Sequence, residues 1–350
     1  MKRVLLIALI CLFDISKIFC ADVLDINQDK KIGIHEAINS LEVVSGIKSN
    51  NVFDLYQHIE SLEDEIIKLQ KQIDENFSYA NDYIQKLLYA ICKYHPSEPV
   101  CQYIQPDETY TNDFGMMFVY IRPGTFVMGS PENETCRASD EIQHTVSLTQ
   151  GYYLQTTEVT QGQWKAVMGN NPSSFSNCGD DCPVEQISWE DAQKFIQKIN
   201  LHEKFNWYHL PTEAQWEYAC RAGSTTALAN GVLVETECSY DTNLNEVGWY
   251  CGNANTKTYP VAQKKANAWG LFDMHGNVFE WCQDWYGDYP TNSVTDPLGP
   301  SVGSSRLLRG GSWSSEARFC RSSRRGSSNP NYRGSGVGLR LLRTIIPDLQ

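Results

Sequence analysis

No run of 18 consecutive apolar residues occurs in the 350-residue chain, so no segment spans a bilayer on its own apolar length. Positive charge is scarce as well, with 29 Lys and Arg against 42 Asp and Glu and a formal charge of −13. Phosphate neutralisation needs a cationic surface, so general binding to nucleic acid or anionic membrane is not expected. Histidine is sparse, seven in all, and widely scattered. Between residues 49 and 95 glycine and proline are missing altogether, which leaves that stretch without the usual helix breakers. Cysteine, by contrast, is plentiful: twelve is heavy for a reducing cytosol.

The N-terminus accounts for two of those cysteines. Lys2 and Arg3 precede the apolar run Val4 to Phe13, and a more polar stretch ends at Cys20-Ala21. Ten residues make about 15 Å of helix against a hydrocarbon core of roughly 30 Å. Residues 1–21 therefore read as a secretory signal peptide. The mature chain is expected to lack a transmembrane segment and to be secreted, periplasmic or at the cell surface. Removal of Cys11 and Cys20 leaves ten cysteines, an even number that suits disulfides.

Residues 22–48 carry a calcium-type loop followed by a helical pattern. Asp25, Asn27, Asp29, Lys31 and Glu36 fall at loop positions 1, 3, 5, 7 and 12, with the position-7 ligand a main-chain carbonyl. Lys30 stands where glycine normally permits the sharp turn. The unit resembles the EF-hand-like loop and helix of dockerin repeats, present here in one copy. An acidic turn without metal is the other reading of the same residues.

Residues 49–95 form a stalk pattern. Leu55, Ile59, Leu62, Ile66, Leu69, Ile73, Phe77, Ala80, Ile84, Leu87 and Ile91 recur at gaps of three or four. The alternation is a heptad seam, with a stutter from Leu69 through Ile73 to Phe77. Such a stripe needs a partner, so the expectation is a parallel coiled coil and a homo-oligomer. Packing against the chain's own globular part is the alternative. Cys92 and Cys101 flank a proline-containing turn and are placed to pair locally. Residues 96–112 read as a linker.

From residue 113 to 345 the texture changes to short strands, Gly and Asn turns and aromatics. Met117–Ile121 and Gly124–Met128 alternate like two paired strands around Arg122-Pro123. Ser188, with Asp191 three residues on, caps a helix whose apolar face includes Phe195, Ile196 and Ile199. Thr212 and Gln215 cap a second. The class is α+β.

Six ordered motifs carry a resemblance. They are Pro123 to Gly129, Glu158-Val-Thr160, Pro183 to Trp189, Leu210 to Ala219, Asn267 to Trp281 and Leu308 to Trp313. Together they resemble the formylglycine-generating enzyme, or sulfatase-modifying factor, family over roughly residues 114–343. The resemblance implies a variant of the C-type-lectin-like fold. It also implies a mixed set of functions: copper oxidases that convert a sulfatase cysteine to formylglycine, iron-dependent sulfoxide synthases, and binding proteins without catalysis, among them variable lectin-like proteins of diversity-generating retroelements. The scattered histidines here do not suit the iron site of the sulfoxide synthases.

In the oxidases two cysteines, five residues apart after Gly-Gly-Ser, grip Cu(I). Here those positions are Ser315 and Cys320, and a hydroxyl does not replace a thiolate toward a soft ion. Cys320 then reads as a reactive thiol or, beside Cys220 and Cys282, as half of a disulfide. The resemblance also implies a structural Ca²⁺ held by Asp273, the carbonyls of Gly276 and Val278, and Glu280. A second calcium loop, near Asn253, lacks its matching Asp.

Residues 306–343 hold nine Arg, no Lys and the single acid Glu316. The family's substrate groove lies over this segment. Trp313, Ser314, Ser315, Glu316, Arg318, Phe319, Arg325 and Tyr332 are therefore the candidate ligand-facing residues, with several Arg expected to pair with structural acids such as Glu217 and Glu280. Cys178 with Cys182, and Cys238 with Cys251, are close enough in sequence to pair. The chain is expected to be a calcium-stabilised, lectin-like binder of a protein or surface ligand. The alternative is an oxidase dependent on Cu(I).

Overall fold

The computed structural model describes residues 108–348. The signal peptide, the loop Asp25–Glu36, the coiled-coil segment and the Cys92/Cys101 pair lie outside the described residues. In chain order the strands are β1 (Thr109–Thr111), β2 (Met117–Ile121), β3 (Gly124–Met128), β4 (His144–Leu148), β5 (Tyr152–Gln155), β6 (Asn206–His209), β7 (Phe279–Trp285), β8 (Val294–Thr295), β9 (Arg306–Arg309), β10 (Gly326–Ser328), β11 (Val337–Gly338) and β12 (Leu342–Asp348). The helices are α1 (Gln161–Met168), α2 (Trp189–Glu203), α3 (Glu213–Arg221) and α4 (Thr242–Val247).

The strands make a five-stranded sheet in the order β1-β2-β5-β12-β6, a four-stranded sheet β10-β9-β7-β11 and a three-stranded sheet β3-β4-β8. The expected α+β class holds. The strands β2 and β3 occur as expected, but they do not pair with each other. Arg122-Pro123 is a corner between sheets: Ile121 lies opposite Tyr152 on β5, whereas Gly124 lies opposite Leu148 on β4. One bent antiparallel ribbon thus contributes to two sheets. Proline, with no N–H to donate, suits such a corner better than a ladder. The domain also begins before residue 113, because β1 pairs with β2 through Tyr110 and Phe118.

Three helices start with a reciprocal capping box. Thr160 with Gln163 opens α1, Ser188 with Asp191 opens α2, and Thr212 with Gln215 opens α3. Each cap satisfies orphan N–H groups and is worth about 1 kcal/mol. Helix α2 buries Phe195, Ile196 and Ile199, and Trp164 of α1 stacks on Phe195 at 4.8 Å. These side chains join Phe118, Tyr208 and Trp281 in one apolar core, while Trp216 of α3 centres a second with Met128, Leu154 and Leu307.

The interior is also charged. Arg309, Arg321, Arg325 and Arg340 are all buried. Arg309 and Arg221 flank Glu217, Arg325 grips both oxygens of Glu213, and Arg340 grips both oxygens of Glu280. Arg321 holds Glu141 and Glu134 of the β3–β4 connection. Removing one member of such a set strands an uncompensated charge. Glu217→Gln is therefore expected to lower unfolding free energy by about 3–5 kcal/mol. Arg318→Gln, at a partly exposed pair with Glu316, should cost no more than about 1 kcal/mol. Urea denaturation of the two variants checks this, and equal losses would show that burial does not set the cost.

Candidate functional site

The segment from Gly310 to Ser322 crosses the domain with almost no regular structure, and its shape is set by its neighbours. Gly311 has φ +81°, and a Cβ there would lie 2.6 Å from the Cys320 sulfur. Glycine is thus what lets the thiol tuck beneath the chain. The turn Ala317–Cys320 is held from the side: Ala317 and Arg318 donate to the carbonyls of Glu237 and Thr236, and Ser322 donates to that of Ala227. The Cys251 N–H donates to the Ser315 carbonyl at 3.0 Å, and the Cys238–Cys251 disulfide locks that flank. Cys178 and Cys182 form the second expected disulfide.

Cys320 is not half of a disulfide. It is a free thiol, as are Cys220, Cys282 and the exposed Cys136. Its sulfur is fully buried, and burial pushes its pKa up to about 12, so it is a thiol rather than a thiolate. Ser315 is buried too, with its Oγ accepting from the Ser312 N–H and lying 3.0 Å from the Ser312 Oγ. One neutral thiol and one hydrogen-bonded hydroxyl do not fit two-thiolate ligation of Cu(I). Behind them His275 donates from Nδ1 to the Cys320 carbonyl at 2.8 Å and accepts from the Ala229 N–H on Nε2. Burial lowers its pKa to about 4, which keeps the ring neutral.

The candidate ligand-facing residues divide. Trp313 is half-buried, donates from its indole N–H to the Ser335 carbonyl and meets Phe175 edge-on at 5.3 Å. Ser314 is exposed, and Tyr332 is 48% exposed on a turn tied down by the ion pair of Arg333 with Asp191. Glu316 pairs with Arg318, and Phe319 lies under the guanidinium groups of Arg318 and Arg324. Arg325 does not face solvent: Glu213 binds it in the interior, and Tyr289 stacks on it at 3.8 Å. Ser315 is likewise an inward-facing member of its turn.

The expected calcium residues are rearranged as well. Glu280 is fully buried, with its carboxylate gripped by Arg340 and accepting from the Trp216 indole N–H at 2.7 Å. Asp273 is 1% exposed; its Oδ2 accepts from the Ala262 N–H, whereas its Oδ1 has no partner. Beside it lies a carboxylate that motif reading left without a role. Glu158 is fully buried, and both of its oxygens lack partners. No set of three or more His, Cys, Asp or Glu side chains forms a metal centre among the described residues. A hard cation here would instead draw on the partnerless carboxylate oxygens of Asp273 and Glu158, donors of the oxygen-only kind calcium accepts. Asn253, by contrast, uses its side chain to bind the main chain of Tyr250 and Gly248.

Burial raises the pKa of Asp273 to about 6, and burial followed by the charge of Asp273 raises that of Glu158. Without metal, the folded state therefore holds protons that the unfolded chain releases. That contribution is complete below about pH 4 and is lost as pH rises through about 6. In EDTA, the Asp273→Asn variant should gain stability relative to the native protein between pH 4 and pH 8. Urea midpoints across that range check it, and parallel pH profiles for the two proteins would refute it.

Residues 105–345 match the sulfatase-modifying factor enzyme 1-like domain. Chaperone protein LppX of Paenibacillus barcinonensis is 31% identical over 242 residues, 55% of this chain and 80% of that protein. The formylglycine-generating enzyme of Streptomyces coelicolor is 32% identical over 177 residues, 45% of this chain and 51% of the enzyme. The chain thus spans about half the length of that relative. Among solved structures, Treponema denticola variable protein 1 superposes with a TM-score of 0.60 at 31% identity, covering 69% of this chain and 100% of that one. The six motifs, the three-sheet architecture and the extent of these matches agree: the chain belongs to the sulfatase-modifying factor enzyme 1-like domain family.

Proposed function

We propose that this protein is an exported, non-oxidase binding member of its family, stabilised by calcium and multimerised by its N-terminal heptad segment. The observation that carries the reading is the state of the two positions where the oxidases keep their copper ligands. Ser315 spends its hydroxyl inside a turn, and Cys320 is buried and neutral. The likeness to a protein named as a chaperone, and to one named as a variable protein, supports a role for this domain outside oxidation. Multimerisation would give weak contacts avidity. Incubation with Cu(I) and a Cys-x-Pro-x-Arg peptide is expected to give no aldehyde by mass spectrometry. Aldehyde formation would retire the binding reading in favour of an oxidase of protein cysteine, the reading that the likeness to formylglycine-generating enzymes supports.

Calcium is assigned to the partnerless oxygens of Asp273 and Glu158. Ligation holds both groups ionised, so Ca²⁺ should raise the thermal midpoint more at pH 7.5 than at pH 5. The rise should shrink in Asp273→Asn and in Glu158→Gln. Differential scanning fluorimetry reads this, and variants that respond as fully as the native chain would remove the ion from this place.

A further inference from the structure

Next to Trp313 lies a cleft of about 240 Å³ that no motif marked, lined by Phe175, Asn177, Cys178, Lys257, Tyr259 and Pro260. We infer that this cleft binds a single acidic sugar unit, a pyranose ring bearing a carboxylate, with the ring laid against the aromatic walls and the carboxylate met by Lys257. The inference rests on the binding reading above and names the class of ligand.

Four observations support it. The first is wall chemistry. Phe175 meets Trp313 edge-on, and Tyr259 stacks on Trp249 with centroids 3.8 Å apart, so each aromatic side chain of the lining is backed by a tryptophan. Aromatic faces attract the apolar C–H face of a ring while leaving its hydroxyls to polar neighbours, here Asn177. The second is charge. Lys257 is the one charged side chain in the cleft lining, it is exposed, and its ammonium lies 4.9 Å from the centre of the Tyr259 ring. In a chain of net charge −13, a cation beside an aromatic wall gives the cleft a local preference for anions.

The third is rigidity. Cys178 ties one wall through its disulfide to Cys182, and Cys251, two residues from Trp249, ties the other flank to Cys238. Glu185 accepts from the Phe175 N–H at 2.8 Å, and Asn277 brackets the main chain of Tyr259 from both its amide and its carbonyl side. A wall fixed before binding loses little freedom on binding. The fourth is size. The volume falls below the roughly 300–1,000 Å³ of pockets for drug-sized ligands, which suits one ring rather than an enclosed oligomer.

The test uses the full chain, titrated with sodium glucuronate, glucose and sodium acetate and followed by tryptophan fluorescence and calorimetry. Glucuronate should bind saturably, with glucose and acetate each at least about tenfold weaker. Lys257→Met keeps the apolar stem and should weaken glucuronate about tenfold while leaving glucose unchanged. Tyr259→Ala should weaken both sugars, with circular dichroism confirming its fold. Equal affinity for glucose, equal affinity for acetate, an unaffected Lys257→Met variant, or no saturable binding at millimolar concentration would each overturn the assignment. Such a failure without aldehyde formation on the Cys-x-Pro-x-Arg peptide removes only this ligand, whereas aldehyde formation removes the binding reading itself.

Discussion

The buried pairing of guanidinium with carboxylate is the constraint on which the rest of this domain depends. Its C-terminal third has short strands and long irregular connections, and such segments have few ladder hydrogen bonds to fix their course. Arginine forks supply the fixing instead. Glu213 and Glu217 stand one turn apart on α3 and receive Arg325 and Arg309, so two separate arms of the segment dock on one helix face. Arg340 ties the approach to β12 to Glu280 on β7, and Arg321 ties the Cys320 turn to the β3–β4 connection. Apolar residues of equal volume would have filled the same space, and often more stably. They would not have specified which loop goes where, because a planar fork matched to a carboxylate carries direction that a methyl group does not.

That use of arginine decides what remains for the surface. An arginine-rich segment in an acidic protein suggests an anion-binding face, yet Arg309, Arg321, Arg325 and Arg340 are turned inward and paired with buried carboxylates. Arg306 is held between Trp189 and Trp285, and Arg343 lies against Tyr110 and Trp207. Arg318 and Arg333, which do reach the surface, pair with Glu316 and Asp191, so the rest of the segment's exposed chemistry is aromatic and small polar, and the cation of the proposed cleft comes from Lys257 in another part of the chain. Function and architecture share one stretch of sequence, and architecture takes most of its charges.

Local signals were the legible ones. The caps at Ser188 and Thr212, the alternation of β2 and β3, and the short-range disulfides Cys178–Cys182 and Cys238–Cys251 each need only a few neighbouring residues, and each is present. Pairing was harder: β2 and β3 look like a hairpin because partners β4 and β5 lie more than twenty residues away and leave no mark near the corner at Pro123. Helix α1 is short and begins with Gln161 and Gly162, so its apolar pattern is weak despite the Thr160 cap. The candidate site was legible in part. Cys320 and Ser315 are positions that the family resemblance implies, but their burial depends on Gly311 and on the loop from Ala227 to Cys238. Glu158 stands in the Glu158-Val-Thr160 motif, and its significance lies in what its carboxylate lacks, which only packing reveals.

That lack has a physical consequence. Two carboxylates enclosed together with a single N–H donor between them, that of Ala262 on Asp273, resist joint ionisation, because desolvation and mutual repulsion act in the same direction. Only two neutralising agents are small enough to enter a closed site: a proton or a bare cation. The two compete, since calcium binds the ionised form that protonation removes. At acidic pH protons satisfy Asp273 and Glu158; near neutrality either the calcium proposed above neutralises them or the fold bears the cost of the buried charge. The main-chain stretch carrying Asp273 also carries His275 and Asn277, which hold the Cys320 turn, Trp313 and Tyr259. Under the proposed function, occupancy of the acidic pair is joined through continuous backbone to the walls of the proposed binding face, so calcium would govern both the stability of the domain and how firmly that face is held.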